Sequence, residues 1–248
     1  MMRQYRSIKS RYRDTILFFR LGDFYEMFEQ DAEEASRSLG LTLTQRGGVP
    51  MCGIPYHASQ GYVARLLRAG RKIAVCEQTH IPKSGLASRE VTEVITPGTV
   101  TDENLLDRGS NNFLVCLARM GEELAVASVD LSTADFQATR LPFSQRREGV
   151  KRELLSLAPK EILLQESLLE DDELARLLAE MEGAVINRLP DWSFDLPANR
   201  ERLQKQLQVS SLKGFGLAED APEIAALGAL LAYLQENARS LLVHIRDL

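Results

Sequence analysis

Apolar and polar residues alternate in blocks along the first hundred residues, and the blocks predict alternating strands and helices. The apolar, β-branched and aromatic run from Thr15 to Leu21 predicts a buried strand that ends at Gly22. Asp23 and Glu26 have the spacing of a capping box, which predicts a helix directly after Gly22 that ends at Gly40. The residues that would share the apolar face of this helix are Phe24, Met27, Phe28, Ala32, Ala35 and Leu39.

The rest of the first half continues the mixed pattern. Leu41–Thr44 predicts a short strand, and Arg46–His57 is rich in glycine and proline, which is typical of a loop. Loops of this kind are frequent contact sites. A helix is expected from Ser59 to Gly70, followed by strands at Lys72–Gln78 and Glu90–Thr96.

The second half has a different order of elements. Phe113–Met120, Leu124–Leu131 and Asp135–Arg140 predict three strands joined by tight turns, which is an antiparallel meander. The elements expected afterwards are a helix at Ser144–Leu157, a strand at Glu161–Leu164, a helix at Leu168–Met181, a strand at Ala184–Leu189 and helices ending in Pro222–Leu242. Three antiparallel strands followed by right-handed crossovers are the order of a ribonuclease-H-like sheet, although such an analogy decides no function.

Length and charge support two α/β domains. The chain has 248 residues, and we predict a first domain at 1–106, a linker at 107–111 and a second domain at 112–248. The net charge is -5, but residues 1–110 hold 15 Lys and Arg against 13 Asp and Glu, whereas residues 111–248 hold 15 against 22. The first twenty residues are a candidate phosphate-facing segment because Asp14 is the sole acid opposite six cations, which are Arg3, Arg6, Lys9, Arg11, Arg13 and Arg20. A solvated helix face explains the same charges.

Several kinds of chemistry lack their sequence signatures. The longest apolar stretch, Ile224–Leu234, is too short to cross a bilayer, and no secretory segment follows the basic N-terminus, so we expect a cytoplasmic protein. No phosphate-binding loop of the G-x-x-x-x-G-K-[ST] type occurs, so this chain is not expected to hydrolyse ATP. The histidines lack metal-ligand spacing, and we interpret Cys52, Cys76 and Cys116 as buried thiols.

A metal-dependent nuclease is the main alternative function. A nuclease built on a ribonuclease-H-like sheet needs carboxylates that converge on two metal ions, beginning in the first strand. Phe113–Met120 carries none, and Asp130 is the only acid on the strands of the predicted meander apart from the boundary residue Asp135. The enzyme hypothesis would therefore require Asp130 together with a second acid that the pattern does not identify.

An ordered series of motifs resembles the N-terminal part of the MutS family of mismatch-repair proteins. The motifs are Gly22–Phe28 (GDFYEMF), Gly53–His57 (GIPYH), Val75–Gln78, Ile95–Thr99, Val129–Thr133, Gly214–Gly216 and His244–Arg246. Because they extend over nearly the whole chain in one order, they are more specific than any single short motif.

The resemblance implies a mismatch-binding domain followed by a ribonuclease-H-like connector domain. In the family's F-x-E motif the aromatic residue stacks on a mispaired base from the minor groove and the glutamate hydrogen-bonds that base, which here implies Phe24 and Glu26. Arg46, Pro50 and Met51 are second-rank candidates for contacts that flank the wedge. The loop between Arg46 and Pro50 is short for the family, which puts backbone contacts there in question.

The resemblance also implies features of a longer protein. This chain would be a non-catalytic fragment, with no cofactor of its own, that ends where the core and lever region begins. The ATPase that uses ATP and Mg²⁺ would follow later in the sequence. The implied partners are mismatched or looped double-stranded DNA, a MutL-type protein bound through the connector, and a second copy of the chain in a homodimer.

Two competing interpretations stay open for the motif itself. By pattern alone, Phe24 is a core residue of a helix and Glu26 is the third residue of a capping box. A protein-interaction piece from a meiotic or recombination branch of the family is a further alternative. Such a branch would be expected to lack the Phe-x-Glu pair, so the presence of Phe24 and Glu26 favours repair.

Overall fold

The chain forms two compact units, Met1–Pro97 and Gly98–Leu248. The computed structural model describes residues 1–80, 87–101, 105, 111–181, 183–238, 242 and 245–248. The predicted linker at 107–111 lies outside the described residues except for its last position. No helix in the described part of the chain has both the length and the apolar character needed to cross a membrane.

The first unit is a mixed α/β unit built on one sheet. Its elements are α1 (Met2–Lys9), β1 (Thr15–Leu21), β2 (Phe24–Phe28), α2 (Glu29–Leu39), β3 (Thr44–Arg46), β4 (Val49–Pro55), a 3₁₀ turn (Tyr56–Ala58), α3 (Ser59–Arg68), β5 (Lys72–His80) and β6 (Ser88–Ile95). The strand order is β3-β4-β2-β1-β5-β6. The β1–β5 pair is parallel and the other pairs are antiparallel.

Helices cover both faces of this sheet. Helix α1 lays Tyr5 and Ile8 on one face, where they pack with Leu17, Phe19 and Phe28. Helices α2 and α3 contact the opposite face through strands β2, β4 and β5. Because successive side chains of a strand point to opposite faces, a side chain faces either α1 or the pair α2 and α3.

The predicted strands β1 and β5 and the helix at Ser59 are confirmed, but the helix predicted directly after Gly22 is wrong in its first part. Residues Phe24–Phe28 form strand β2, and helix α2 begins only at Glu29 with Phe28 as its N-cap. Strand β2 pairs with β1 on one side and β4 on the other, so its backbone groups are satisfied in the sheet. Asp23 and Glu26 therefore form no capping box.

The predicted loop at Arg46–His57 is also wrong. Strands β3 and β4 form a hairpin whose two-residue turn, Gly47–Gly48, has positive φ at both positions. This is the turn that glycine pairs favour in hairpins. The short strand expected at Leu41–Thr44 lies later, at Thr44–Arg46. The breaker residues marked a turn between strands, not an extended loop.

The second unit confirms the predicted meander and crossovers. Its elements are β7 (Phe113–Met120), β8 (Glu123–Asp130), β9 (Asp135–Pro142), a 3₁₀ turn (Phe143–Gln145), α4 (Arg146–Leu157), β10 (Glu161–Gln165), a 3₁₀ turn (Glu166–Glu170), α5 (Asp172–Ala179), β11 (Val185–Leu189), a 3₁₀ turn (Asp191–Phe194), α6 (Leu196–Leu207), a 3₁₀ turn (Leu212–Phe215) and α7 (Pro222–Asn237). The strand order β11-β10-β7-β8-β9, antiparallel on one side of β7 and parallel on the other, is the expected ribonuclease-H-like arrangement.

A three-layer core holds this second sheet. Leu114 and Cys116 on β7 face a cluster that includes α6 and α7, while Val115 and Leu117 face a cluster that includes α4 and α5. Helix α7 lies close against α6, and its Gly228 allows that approach. A Cβ added there would stand 2.2 Å from the Cβ of Asn199. Both faces of the second sheet are thus committed to packing.

Candidate nucleic-acid interface

A two-residue turn between β1 and β2 presents the first candidate residue. Gly22 has a φ of +57°, a conformation that favours glycine, and Asp23 completes the turn. Phe24 follows as the first residue of β2, opposite Leu21 on one side and Pro55 on the other. The Phe24 side chain is 48% exposed, so the interpretation of Phe24 as a core residue is wrong.

Strand alternation places Phe24 and Glu26 on the same face of the sheet. The next residue on that face, Phe28, is fully buried under α1. The Glu26 side chain is 13% exposed, so exposure rises steadily along the strand toward Phe24. The face is covered by α1 at Phe28 and is open at Phe24.

Arg46 lies beside Glu26 although the two residues are twenty positions apart. A guanidinium nitrogen of Arg46 lies 2.5 Å from a carboxylate oxygen of Glu26. Burial raises the pKa of Glu26 above its usual range, and the charge of Arg46 offsets that rise only in part. The carboxylate is therefore held in a site that partly disfavours its charge.

The β2–β4–β3 pairing explains which other candidates join this face. Arg46 opposes Val49, and Met51 opposes Phe28, so Arg46 and Met51 share the face of Phe24 and Glu26. Met51 is half-buried and packs against the α1 core cluster. Pro50 opposes Gln45 and belongs to the opposite face. The structure thus brings four of the five candidates together and leaves Pro50 apart.

Gly53 is a neighbour of the site that sequence reasoning did not assign a role. It stands opposite Glu26 on β4, and an added Cβ would lie 3.4 Å from the Tyr25 carbonyl oxygen and 3.6 Å from Cγ of Glu26. An isolated glycine inside a strand is the available signal, because it marks close approach of another group. Here the neighbouring atoms are the Tyr25 carbonyl and the Glu26 side chain, both at ordinary van der Waals distance from an added Cβ.

Three of the six cations in the basic N-terminal segment lie close to acidic residues of the same unit. Lys9 forms an ion pair with the buried Asp31 at 2.7 Å, and Arg6 pairs with Glu29 at 2.7 Å. Arg20 lies 3.9 Å from Glu77 and is largely buried. Lys9 and Arg20 are therefore held by the fold, whereas Arg6 forms its ion pair on the surface, and Arg3, Arg11 and Arg13 are exposed.

Asp130, the residue proposed for the nuclease alternative, is occupied by internal hydrogen bonds. It is 1% exposed, and its carboxylate accepts from the backbone N–H of Asn112 at 2.9 Å and from the N–H and hydroxyl of Ser132 at 2.9 and 2.6 Å. Among the residues with described positions, no three His, Cys, Asp or Glu side chains are grouped so that they could hold a metal ion. The carboxylate acts as a structural acceptor at the end of β8.

The cysteine prediction is confirmed. Cys52, Cys76 and Cys116 are free and buried. Burial raises the pKa of the Cys52 and Cys76 thiols to about 11 and that of Cys116 further. Of the histidines, His57 is exposed, and His244 lies outside the described residues.

An exposed phenylalanine beside a paired glutamate on a mixed sheet, followed by a ribonuclease-H-like unit, defines an α/β protein of two units. Comparison with known proteins agrees. MutS domain I matches residues 1–104, and MutS domain II matches residues 112–246.

Individual relatives match almost the whole chain. A DNA mismatch repair protein MutS from Treponema denticola is 46% identical over 99% of this chain, and those from Desulfosudis oleivorans and Ruminiclostridium cellulolyticum are 42% and 40% identical over 100% and 99%. The chain belongs to the MutS family. It spans 29% of the length of each of these three relatives.

Proposed function

We propose that this chain recognises mispaired or looped DNA by inserting Phe24 into the duplex, as the first two domains of a longer mismatch-repair protein. The observation that carries the proposal is the exposure of Phe24, a large apolar side chain at 48%, on a strand whose next aromatic residue on that face is fully buried. An exposed apolar residue at the end of a strand that is paired on both sides is suited to intercalation.

The energetics of insertion explain the preference for mismatches. Opening a base step for an apolar wedge costs on the order of a few kcal/mol and kinks the duplex. A mispaired step has already lost part of its stacking and pairing, so the same deformation costs less there. Phenylalanine is suited to this role because its ring is rigid and has no polar atom to leave without a hydrogen bond.

Glu26 would supply the discrimination against normal duplex. A carboxylate near phosphates is repelled, so it weakens binding to matched DNA, while a displaced base offers it a hydrogen bond. The raised pKa of Glu26 bears on the hydrogen bond and not on the repulsion, because a protonated carboxyl could donate to the displaced base as well as accept from it. Arg46 and Met51 would flank the wedge on the same face; Pro50 would contribute only through the β3–β4 hairpin.

The Phe24→Ala substitution tests the wedge. In the complete protein, we expect the ratio of affinities for mismatched and matched duplex to fall to about 1, because the cheaper opening of a mismatch no longer matters without a ring to insert. Fluorescence anisotropy with paired duplexes that differ at one base measures the ratio. Leu43→Ala is the matched control, because Leu43 is 46% exposed in the same unit but lies outside the Phe24 face. An unchanged ratio for Phe24→Ala would rule out the wedge.

The Glu26→Ala substitution tests the repulsion. We expect this variant to bind matched duplex at least as tightly as the parent protein. Glu33→Ala is the control for charge alone, because Glu33 is exposed on α2, which packs on the opposite face. Weaker binding of matched duplex by Glu26→Ala would contradict the repulsion argument.

The second unit would act as the connector. Acidic residues outnumber basic residues in its sequence, which disfavours direct DNA wrapping there. It would relay the DNA-bound state to ATPase domains and to a MutL-type partner. Sedimentation of the complete protein tests the proposed homodimer. Pull-down of a MutL-type protein by the complete protein, compared with a form that lacks residues 112–248, tests the connector; equal capture by both would contradict it.

A further inference from the structure

The turn that precedes Phe24 is held by residues outside it. The Nε of Arg20 donates a hydrogen bond to the carbonyl oxygen of Gly22 at 2.6 Å. The backbone N–H of Tyr56 donates to the carbonyl oxygen of Asp23 at 3.0 Å. Both carbonyls of the two-residue turn therefore accept a hydrogen bond, one from strand β1 and one from the 3₁₀ turn that follows β4.

Arg20 is itself locked in place by aromatic and acidic neighbours. Its guanidinium carbon lies 3.6 Å from the centre of the Tyr56 ring and 5.6 Å from that of Tyr25. A guanidinium nitrogen lies 3.9 Å from a Glu77 carboxylate oxygen, which also accepts the Tyr25 hydroxyl hydrogen bond. The Arg20 side chain is 18% exposed, so these contacts are only partly screened by water.

This cluster lies behind the wedge, not beside it. Arg20 opposes Tyr25, while Leu21 opposes Phe24, so strand alternation places Arg20 and Phe24 on opposite faces. Tyr56 follows Pro55, the β4 partner of Phe24, and its ring stacks on Arg20. Arg20 therefore acts on Phe24 through the turn backbone.

We propose that Arg20, stacked on Tyr56, is a positioning residue that holds the Gly22–Asp23 turn rigid so that Phe24 enters a mismatch already oriented. This inference rests on the proposed function of Phe24. Insertion of a ring from a loose turn would lose affinity to the ordering of that turn, whereas a turn that is ordered beforehand does not. Arginine fits because its planar guanidinium stacks on one ring and donates to a carbonyl in the same geometry, which lysine cannot reproduce.

The test is a double-mutant cycle in the complete protein. Arg20→Lys keeps the charge but loses the stacked planar group, and we expect it to lower the mismatched-to-matched affinity ratio by about three- to tenfold. In the Phe24→Ala background the same substitution should change the ratio no further, because there is no ring to orient. Tyr56→Ala should behave like Arg20→Lys, while Tyr56→Phe, which keeps the ring, should retain the parent ratio.

A spectroscopic readout and a control complete the experiment. A fluorescent base analogue at the mismatch reports stacking by its quenching, and Arg20→Lys should reduce that quenching while the melting temperature of the protein stays within a few degrees. Arg13→Lys is the matched control. Arg13 also donates from its Nε to a nearby carbonyl, that of Ser10 at 3.1 Å, but it lies before β1, away from the turn.

Each outcome decides between the two proposals. If Phe24→Ala removes the preference while Arg20→Lys and Tyr56→Ala leave it intact, the positioning role is wrong and the wedge stands. If Arg20→Lys lowers the ratio equally with and without Phe24, or if Arg13→Lys has the same effect, the positioning role is also wrong. If Phe24→Ala changes nothing, the proposed function itself fails. Should Arg20→Lys unfold the protein, the Tyr56→Ala and Tyr56→Phe pair decides by the same ratios.

Discussion

Glu26 in the first unit and Asp130 in the second are both acidic residues on strands, but they differ in burial and in the groups that contact them. The Glu26 side chain keeps 13% of its exposure and pairs with the half-exposed Arg46. Asp130 is 1% exposed and accepts hydrogen bonds from Asn112 and Ser132. Asp130 is therefore satisfied by backbone and hydroxyl donors inside the fold, whereas Glu26 is paired with a side chain that is itself half-exposed.

The same contrast extends to the sheets that carry these acids. The second sheet has helices on both faces, and some of its polar side chains are fully enclosed. Glu161 on β10 is fully buried and accepts from the N–H of Gly98 at 2.9 Å, the amide of Asn187 at 2.5 Å and the hydroxyl of Tyr233 at 2.5 Å. The first sheet leaves one edge of its α1 face open at Phe24. The second unit encloses this acid, whereas the first unit exposes an aromatic side chain.

The two units can be compared by substituting one helix glycine in each, and the largest expected change in the free energy of unfolding is at Gly228. Gly228→Ala should destabilise the second unit by about 3 kcal/mol or more, because the added Cβ would lie 2.2 Å from the Cβ of Asn199 and would force α6 and α7 apart. Gly61→Ala on the exposed side of α3 meets no atom within 4 Å and should stabilise the first unit by about 0.5–1 kcal/mol.

Amide hydrogen exchange of β7 and β1, measured separately, reports the two units independently. Strand β7 should lose protection in Gly228→Ala while β1 keeps it, since the clash lies within the second unit. Unchanged protection of β7 would mean that the α6–α7 contact is looser than the close approach of Gly228 and Asn199 indicates.

A smaller effect is expected at the end of β8. Asp130→Ala leaves the donors of Asn112 and Ser132 without this acceptor and should lower the free energy of unfolding of the second unit by about 2 kcal/mol. Asp135, its cross-strand partner on β9, is exposed, and Asp135→Ala should cost less than about 0.5 kcal/mol. Denaturant unfolding followed by circular dichroism compares the two variants.

The same pair of variants also examines the nuclease alternative. Purified parent protein and Asp130→Ala are incubated with Mg²⁺ or Mn²⁺ and branched or hybrid nucleic acids. We expect no difference between them, because the Asp130 oxygens are engaged by internal donors. Metal-dependent cleavage that is lost in Asp130→Ala and kept in Asp135→Ala would contradict the structural role of this carboxylate.

The sequence predicts the second unit better than the first for a physical reason. Strand β7 was bounded correctly at Phe113 and Met120 because its apolar residues fill both faces of a closed sheet and its turns are short. Strand β2 was mistaken for helix because buried Met27 and Phe28 precede Ala32 and Ala35 at helical spacing. A short strand followed directly by an amphipathic helix imitates one longer helix, and only pairing with β1 and β4 separates them.

The candidate site is predictable from the sequence only where a motif carries it. The resemblance identified Phe24 and Glu26, but no local pattern could predict that Arg46 reaches Glu26, since their contact depends on the register of three paired strands. That register is set by the Gly47–Gly48 turn, which also places Pro50 on the opposite face. Hairpin register depends on turn geometry, and a prediction of one loop at Arg46–His57 does not include the Gly47–Gly48 turn.

The smallest expected effect is a shift in the titration of Glu26. Burial raises the pKa of Glu26 above its ordinary value of 4.5, and Arg46 lowers it in part, so Arg46→Gln should raise it further. Side-chain carboxyl NMR of the parent protein and of Arg46→Gln measures both values. Because the folded pKa exceeds the unfolded one, the stability contributed by protonated Glu26 is present below 4.5 and is lost as pH rises through the folded pKa. As pH rises from 4.5 through the folded pKa, the free energy of unfolding of Glu26→Gln should therefore increase relative to that of the parent protein. If it increases relative to the parent as pH falls instead, the ion pair with Arg46 outweighs burial.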